Sequence, residues 1–182
     1  MTFASLLRYP QRGRRPCIQW VSRLLRDPVL TPAGQKELEA FRDLLLDMSD
    51  HQIEELYART FDINPAVTLD VGFHLFGLAY KRGEFLVKMQ EALREHGIDR
   101  GPELADHLPL LLELAAVLPD EDRKVLIAEC VAGPVKRMCE ASAEQNGYAH
   151  VLRALHAYLT RHFDMISYTE ENTHDADVAG SW

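Results

Sequence analysis

Cysteine is scarce. The 182 residues include three, Cys17, Cys130 and Cys139, with no Cys-x-x-Cys pair. An odd and widely spaced set supports neither a disulfide scaffold nor a zinc ribbon, and it suits a reducing compartment. Also lacking is any apolar run near the roughly 18 residues of a membrane span. The adjacent Arg14–Arg15 would open an export signal only with an apolar stretch behind it. Pro16, Gln19, Ser22, Arg23 and Arg26 interrupt that stretch, so the chain is expected to be cytoplasmic and not inserted in a membrane. No Gly-x-Ser-x-Gly occurs, and "GLAYKRG" has too few glycines, wrongly spaced, for a phosphate-cradling loop. A nucleophile elbow and a P-loop are thereby set aside.

Positive charge is also in deficit. The formal net charge is −8, which argues against general nucleic-acid binding through phosphates. The distribution is uneven: residues 1–30 carry six Arg and one Asp, and the remaining 152 sum to −13. An acidic body favours basic partners, although the same charge also serves solubility. Arg8, Arg12, Arg14 and Arg15 are read as a solvated face rather than a docking patch.

What is present is helical periodicity almost throughout, at a length suited to one domain with a sizeable core. Ile18, Val21, Leu24 and Leu25 repeat at helical spacing before Pro28. Thr31–Pro32 and Ser49 or Asp50 offer helix starts. Phe85, Met89 and Leu93 form one stripe that Gly97 should end. "TLDVGFHLFGLAY" is apolar nearly all round and reads as a central buried helix. Gly133–Pro134 should break or kink the helix begun at "DEDRKV". Val151, Leu152, Leu155, Tyr158, Leu159 and Phe163 make the inward face of the last long helix. The expectation is an all-α, single-domain helical bundle over residues 1–168, followed by a disordered acidic tail over 169–182.

Two titratable residues, Asp106 and His107, stand directly before "LPLLLELAAV". Pro109 needs a place in a first turn, which makes Asp106 the expected N-cap, with His107, Leu108 and Pro109 at N1 to N3. Leu108, Leu111, Leu112 and Ala115 would then face the core, and Glu113 would share a side with Asp106 two turns on. Adjacent residues at a helix start point apart, so Asp106 and His107 do not form a catalytic dyad with each other. The eight histidines suggest no di-iron bundle either, because the single Glu-x-x-His, Glu171 to His174, lies in the tail. His156 and His162 are six apart and lie on different faces. His74, in an apolar helix, reads as a satisfied interior histidine rather than a ligand. No permanently bound cofactor or metal is expected. A metal-dependent hydrolase in a helical bundle and a general helical interaction adaptor are the alternatives the residues leave open.

Four blocks recur in order: "LLRYP" near the start, "LYARTFD" at 56–62, "YKRGEFL" at 80–86 and "ELADHLPLLLEL" at 103–114. Together they resemble the nitrate reductase delta-subunit, or NarJ-type, assembly chaperones, relatives of the TorD and DmsD redox-enzyme maturation chaperones. The likeness spans about residues 3 to 160, and Asp-His-Leu-Pro with its downstream Glu is its most specific part. It implies an all-α, non-enzymatic cytoplasmic chaperone. Such a protein binds the N-terminal segment of the apo catalytic subunit of a molybdoenzyme. It holds that subunit open for molybdenum cofactor, and iron–sulfur, insertion before membrane attachment or export. Molybdenum cofactor biosynthesis proteins are further partners the likeness allows. The client-binding role carries onto Asp106 and His107, with Pro109, Glu113 and Glu103 beside them, and Tyr57, Asp62 and Arg82 from the other blocks. The chain departs from the pattern at Ala105, where many members have Pro, and in a shorter acidic C-terminus. Rim carboxylates Glu103, Asp106 and Glu113 would steer a basic amphipathic segment toward an apolar groove.

Overall fold

The computed structural model describes residues 2–162, with side chains through 161. Phe163, the Glu171–His174 and His174–Asp175 pairs and the acidic tail expected over 169–182 lie outside the described residues. Ten α-helices follow in order: α1 Thr2–Leu6, α2 Arg14–Leu24, α3 Pro32–Asp47, α4 Asp50–Tyr57, α5 Val71–Phe76, α6 Tyr80–Glu95, α7 Leu108–Val117, α8 Asp120–Val125, α9 Ala132–Ala141 and α10 Gly147–His162. Among the described residues no strand forms. The chain is an all-α bundle, and an isolated antiparallel bridge joins Asp70 to His107.

Local chemistry sets most helix ends. Thr31 Oγ1 accepts the Gly34 N–H at 3.0 Å with Pro32 at the first position. Ser49 and Gln52 form a reciprocal capping box. Gly97, at φ +66, closes α6: its N–H reaches Arg94 O at 3.2 Å and the Ile98 N–H reaches Leu93 O at 2.9 Å. That pair of bonds is a Schellman ending, and it needs the left-handed residue that glycine supplies. Pro134 does not break its helix. A π-helical segment, Leu126–Val131, links α8 to α9 just ahead of it. The widened turn absorbs the missing N–H that an α-helix would have directed to residue 130. A second π segment, Ala58–Asp62, prolongs α4.

The central helix is α7 rather than the 68–80 stretch. Leu108, Leu110, Leu111 and Leu114 of α7 are fully buried. The expected long helix over 68–80 is six residues, ended by Gly77 at φ +59, and beyond it Leu78 is 91% exposed and Tyr80 85% exposed. Its apolar composition belongs partly to a surface corner. His74 is half-buried rather than interior, its Nε2 2.7 Å from Thr68 O. Against α7 pack α1, α6 and α8, while α10 lies along α3 and α9.

Tyr57, Phe61, Phe41 and Tyr148 form an aromatic cluster with ring centroids 5.0–5.5 Å apart. Tyr148 is fully buried, and its hydroxyl has no hydrogen-bond partner among the described residues. An unpaired buried hydroxyl costs about 1–3 kcal/mol. Tyr148→Phe is therefore expected to raise unfolding stability by about 1 kcal/mol in urea titration. A loss instead would mean that the hydroxyl is satisfied.

The Arg-rich start is only partly a solvated face. Arg12 and Arg15 are exposed. Arg14, however, donates from Nη1 to Leu46 O at 2.9 Å and also to Met48 O, tying down the C-terminal carbonyls of α3. Arg8 pairs with Glu113, its Nη2 3.0 Å from both carboxylate oxygens.

Candidate functional site

The bridge at Asp70 and His107 brings two distant blocks of sequence together. The Val71 N–H donates to Asp106 O at 2.9 Å and the Leu108 N–H to Leu69 O at 2.8 Å. This pairing turns the Asp106 side chain inward. Asp106 is 0% exposed, and its Oδ2 accepts from Gly72 N at 3.1 Å and from Arg82 Nε at 3.2 Å. Its Oδ1 has no hydrogen-bond partner among the described residues. Arg82 also donates from Nη2 to Asp70 Oδ2 at 3.0 Å. The other Asp70 oxygen lies 3.9 Å from His107 Nδ1, an ion-pair separation rather than a hydrogen bond.

Asp106 is accordingly not a helix cap and not a rim carboxylate. The N-cap position of α7 is His107, in extended backbone and without a side-chain capping bond; Pro109 falls at N2 and is buried. The register is one residue later than the sequence pattern suggests, because Arg82 and the Gly72 amide compete for the carboxylate. Glu113 does not share a helix side with it, since Asp106 precedes the helix.

The two carboxylates around Arg82 diverge electrostatically. Burial pushes the Asp106 carboxyl up, with the Arg82 charge opposing. Asp70 is half-exposed, and its carboxyl is held below the usual range, first by the His107 imidazole and then, against burial, by Arg82.

His107 opens onto a cleft of about 440 Å³ between the start of the chain and the 98–107 loop. One wall carries Arg8, Tyr9, Arg12 and Trp20; the other carries Arg100, Glu103 and His107. Tyr57 stands behind it, donating to Leu7 O at 3.0 Å with its ring edge-on to Tyr9. Burial, and then Asp62 and Glu103, push its hydroxyl up. Asp62 is exposed, and its carboxyl is raised by partial burial and then by Glu103. These two acids thus share one field with His107. The opposite side of the loop faces a second groove of about 510 Å³, with Leu86, Val87, Leu104 and Ala105 on its walls.

Of the expected site residues, the structure places Glu103 and His107 on the cleft wall, with Tyr57 behind Tyr9 and Asp62 outside the lining but within the field of Glu103 and His107. It ties Glu113 to the cleft's Arg8, and places Asp106, Arg82 and Pro109 behind the wall. Asp70, Gly72, Arg8, Arg100 and Trp20 were not anticipated as site residues. Asp70 and Gly72 had no local signal, since their role depends on partners 12 to 37 residues away. Among the described residues no three His, Cys, Asp or Glu side chains gather as metal ligands, and no helix is long and apolar enough to cross a membrane.

These features define a helical protein whose candidate site is a cleft of mixed charge with aromatic walls, one side of it held by the Asp70–Arg82–Asp106 ion network. Residues 27–165 match the family described as nitrate reductase delta subunit, and the chain belongs to it. Over 83 residues, 44% of its length, it is 36% identical to the protein named nitrate reductase molybdenum cofactor assembly chaperone NarJ in Escherichia coli strain K12, and equally to its namesake in Escherichia coli O157:H7. The matched stretch covers 34% of each of those proteins.

Proposed function

We propose that this chain is a cytoplasmic, non-enzymatic assembly chaperone for a nitrate reductase-like molybdoenzyme. It binds the N-terminal segment of the apo catalytic subunit and keeps that subunit competent for molybdenum cofactor and iron–sulfur insertion before membrane attachment or export. The observation that carries this reading is the meeting of two family-like blocks, "LLRYP" and "ELADHLP", on one cleft, where exposed Glu103 stands beside His107 and aromatic walls, with exposed Asp62 in the same field. Exposed acids steer a basic segment, and the adjoining groove with Leu86, Val87 and Leu104 accepts an apolar helical face. Family membership and the NarJ likeness support the same reading.

The test is a pull-down of the tagged protein from its native cells grown to induce molybdoenzymes. Mass spectrometry should find a molybdoenzyme catalytic subunit, captured without its cofactor. Glu103→Gln combined with His107→Ala is expected to cut capture, and the affinity for a synthetic N-terminal segment of that subunit, by about tenfold or more. Glu103→Gln alone should leave stability within about 0.5 kcal/mol, as for an exposed side chain. Undiminished affinity in the double variant would remove these residues from the site. Absence of the subunit, with apoenzyme present in the cells, would remove the function.

A further inference from the structure

The wall between the two clefts is a loop braced by a few local bonds. Among them, Arg100 Nη1 donates to Glu103 O and the Glu103 N–H to Arg100 O. Within it, Gly101 N bonds Asp99 Oδ1 at 3.0 Å, and the His107 N–H reaches Leu104 O at 3.1 Å. Its upstream end is held by the Ile98 N–H on Leu93 O, and its downstream end by the Asp106 network. Arg100 lines both clefts; Glu103 and His107 line one side and Leu104 and Ala105 the other. Asp70 stands where this loop meets the interior. One of its oxygens takes Arg82 at 3.0 Å and the other faces His107 at 3.9 Å, while its backbone pairs with that of His107. Its side chain is 30% exposed, against 18% for Arg82 and 0% for Asp106. Among the described residues it is the group that joins a cleft-facing side chain to the Arg82–Asp106 pair.

We propose that Asp70 is a positioning residue for client recognition: it orients His107 into the cleft and, through Arg82 and Asp106, fixes the 98–107 wall. The proposal rests on the client-binding reading above. The carboxylate does not touch the client. It restricts the imidazole to rotamers that face the cleft, so less ordering is left to occur on binding. The link to Asp106 confines the wall in the same way, because a guanidinium shared by two carboxylates fixes their separation.

A double-mutant cycle tests this, with the synthetic N-terminal segment of the captured catalytic subunit as probe. Asp70→Asn is expected to weaken binding by about tenfold in the wild-type background and by only about threefold with His107→Gln in place, the remainder being the loosened wall. Equal losses in both backgrounds, or no loss in either, would overturn the proposal. Asp70→Glu keeps the charge and should bind more tightly than Asp70→Asn. Amide exchange supplies a readout independent of the client. Asp70→Asn should speed exchange at Gly101 and His107 in the wall, while the bridge amides of Val71 and Leu108 stay protected. Equal release of all four would mean that Asp70 merely holds the fold together, and the proposal would fall. Should the wild-type protein not bind the segment at all, the client reading fails, and the exchange pattern alone decides the positioning role of Asp70.

Discussion

Asp106→Ala is expected to cost the folded state about 3–5 kcal/mol, the usual consequence of removing one partner from a buried ion pair. Asp106 is 0% exposed, and its loss would leave Arg82, with 18% of its side chain exposed, facing Asp70 alone. The Gly72 amide would also lose its acceptor in the interior. A helix cap would behave differently: Ala would cost about 0.5–2 kcal/mol, and Ser or Asn would restore most of it. Here Asn keeps an oxygen for the Gly72 N–H but has no charge for Arg82, so partial recovery is expected. Ser is too short for either partner and should recover nothing. Urea titration of the three variants reads the difference directly. Full rescue by Ser would return Asp106 to a capping role and dismantle the network as described.

The contrast between cap and ion pair shows where the sequence was readable. Fold class followed from periodicity, because a helix buries what lies three and four residues apart, and Phe85, Met89 and Leu93 are all interior. Thr31, Ser49 and Gly97 were legible because each acts on backbone within five residues of itself. The failures share one property, distance along the chain. Asp106 looked like a cap because a carboxylate before Leu-Pro is normally wanted by the nearest amides; its partners are Arg82 and Gly72, 24 and 34 residues earlier. Arg8 looked solvated because Glu113 lies 105 residues on. The 68–80 stretch looked wholly interior because apolar composition does not reveal that Gly77 turns the chain outward at Leu78. The family likeness pointed to Asp106, His107, Pro109, Glu113, Glu103, Tyr57, Asp62 and Arg82 as one site without geometry, and of these Glu103 and His107 line the cleft. It did not separate the side chains that face the cleft from those that brace it.

Gly72→Ala and Gly83→Ala are expected to move stability in opposite directions. Gly83 lies inside α6, and a Cβ there would meet nothing within 4 Å. Alanine should stabilise it by about 0.4–1 kcal/mol, by restricting the unfolded chain. Gly72 is also helical, the second residue of α5, and by propensity alone it should gain similarly. Its Cβ, however, would lie 2.6 Å from Asp106 Oδ2 and 3.1 Å from a Phe85 ring carbon. Phe85 and Asp106 are both buried, so any shift that clears the methyl group pulls the carboxylate from its bonds to the Gly72 amide and to Arg82. A charge-assisted hydrogen bond is worth about 1.5–3 kcal/mol. The net expectation for Gly72→Ala is therefore a loss of about 1–2 kcal/mol. Since the displaced carboxylate anchors the cleft wall, affinity for the client segment should fall with it, whereas Gly83→Ala should bind as the wild type does. Adding Gly72→Ala to Asp106→Ala should cost little more, because the atom that the methyl group would strike is already gone. Stabilisation by Gly72→Ala matching that of Gly83→Ala would mean that the close approach of glycine and carboxylate does not hold Asp106 in place.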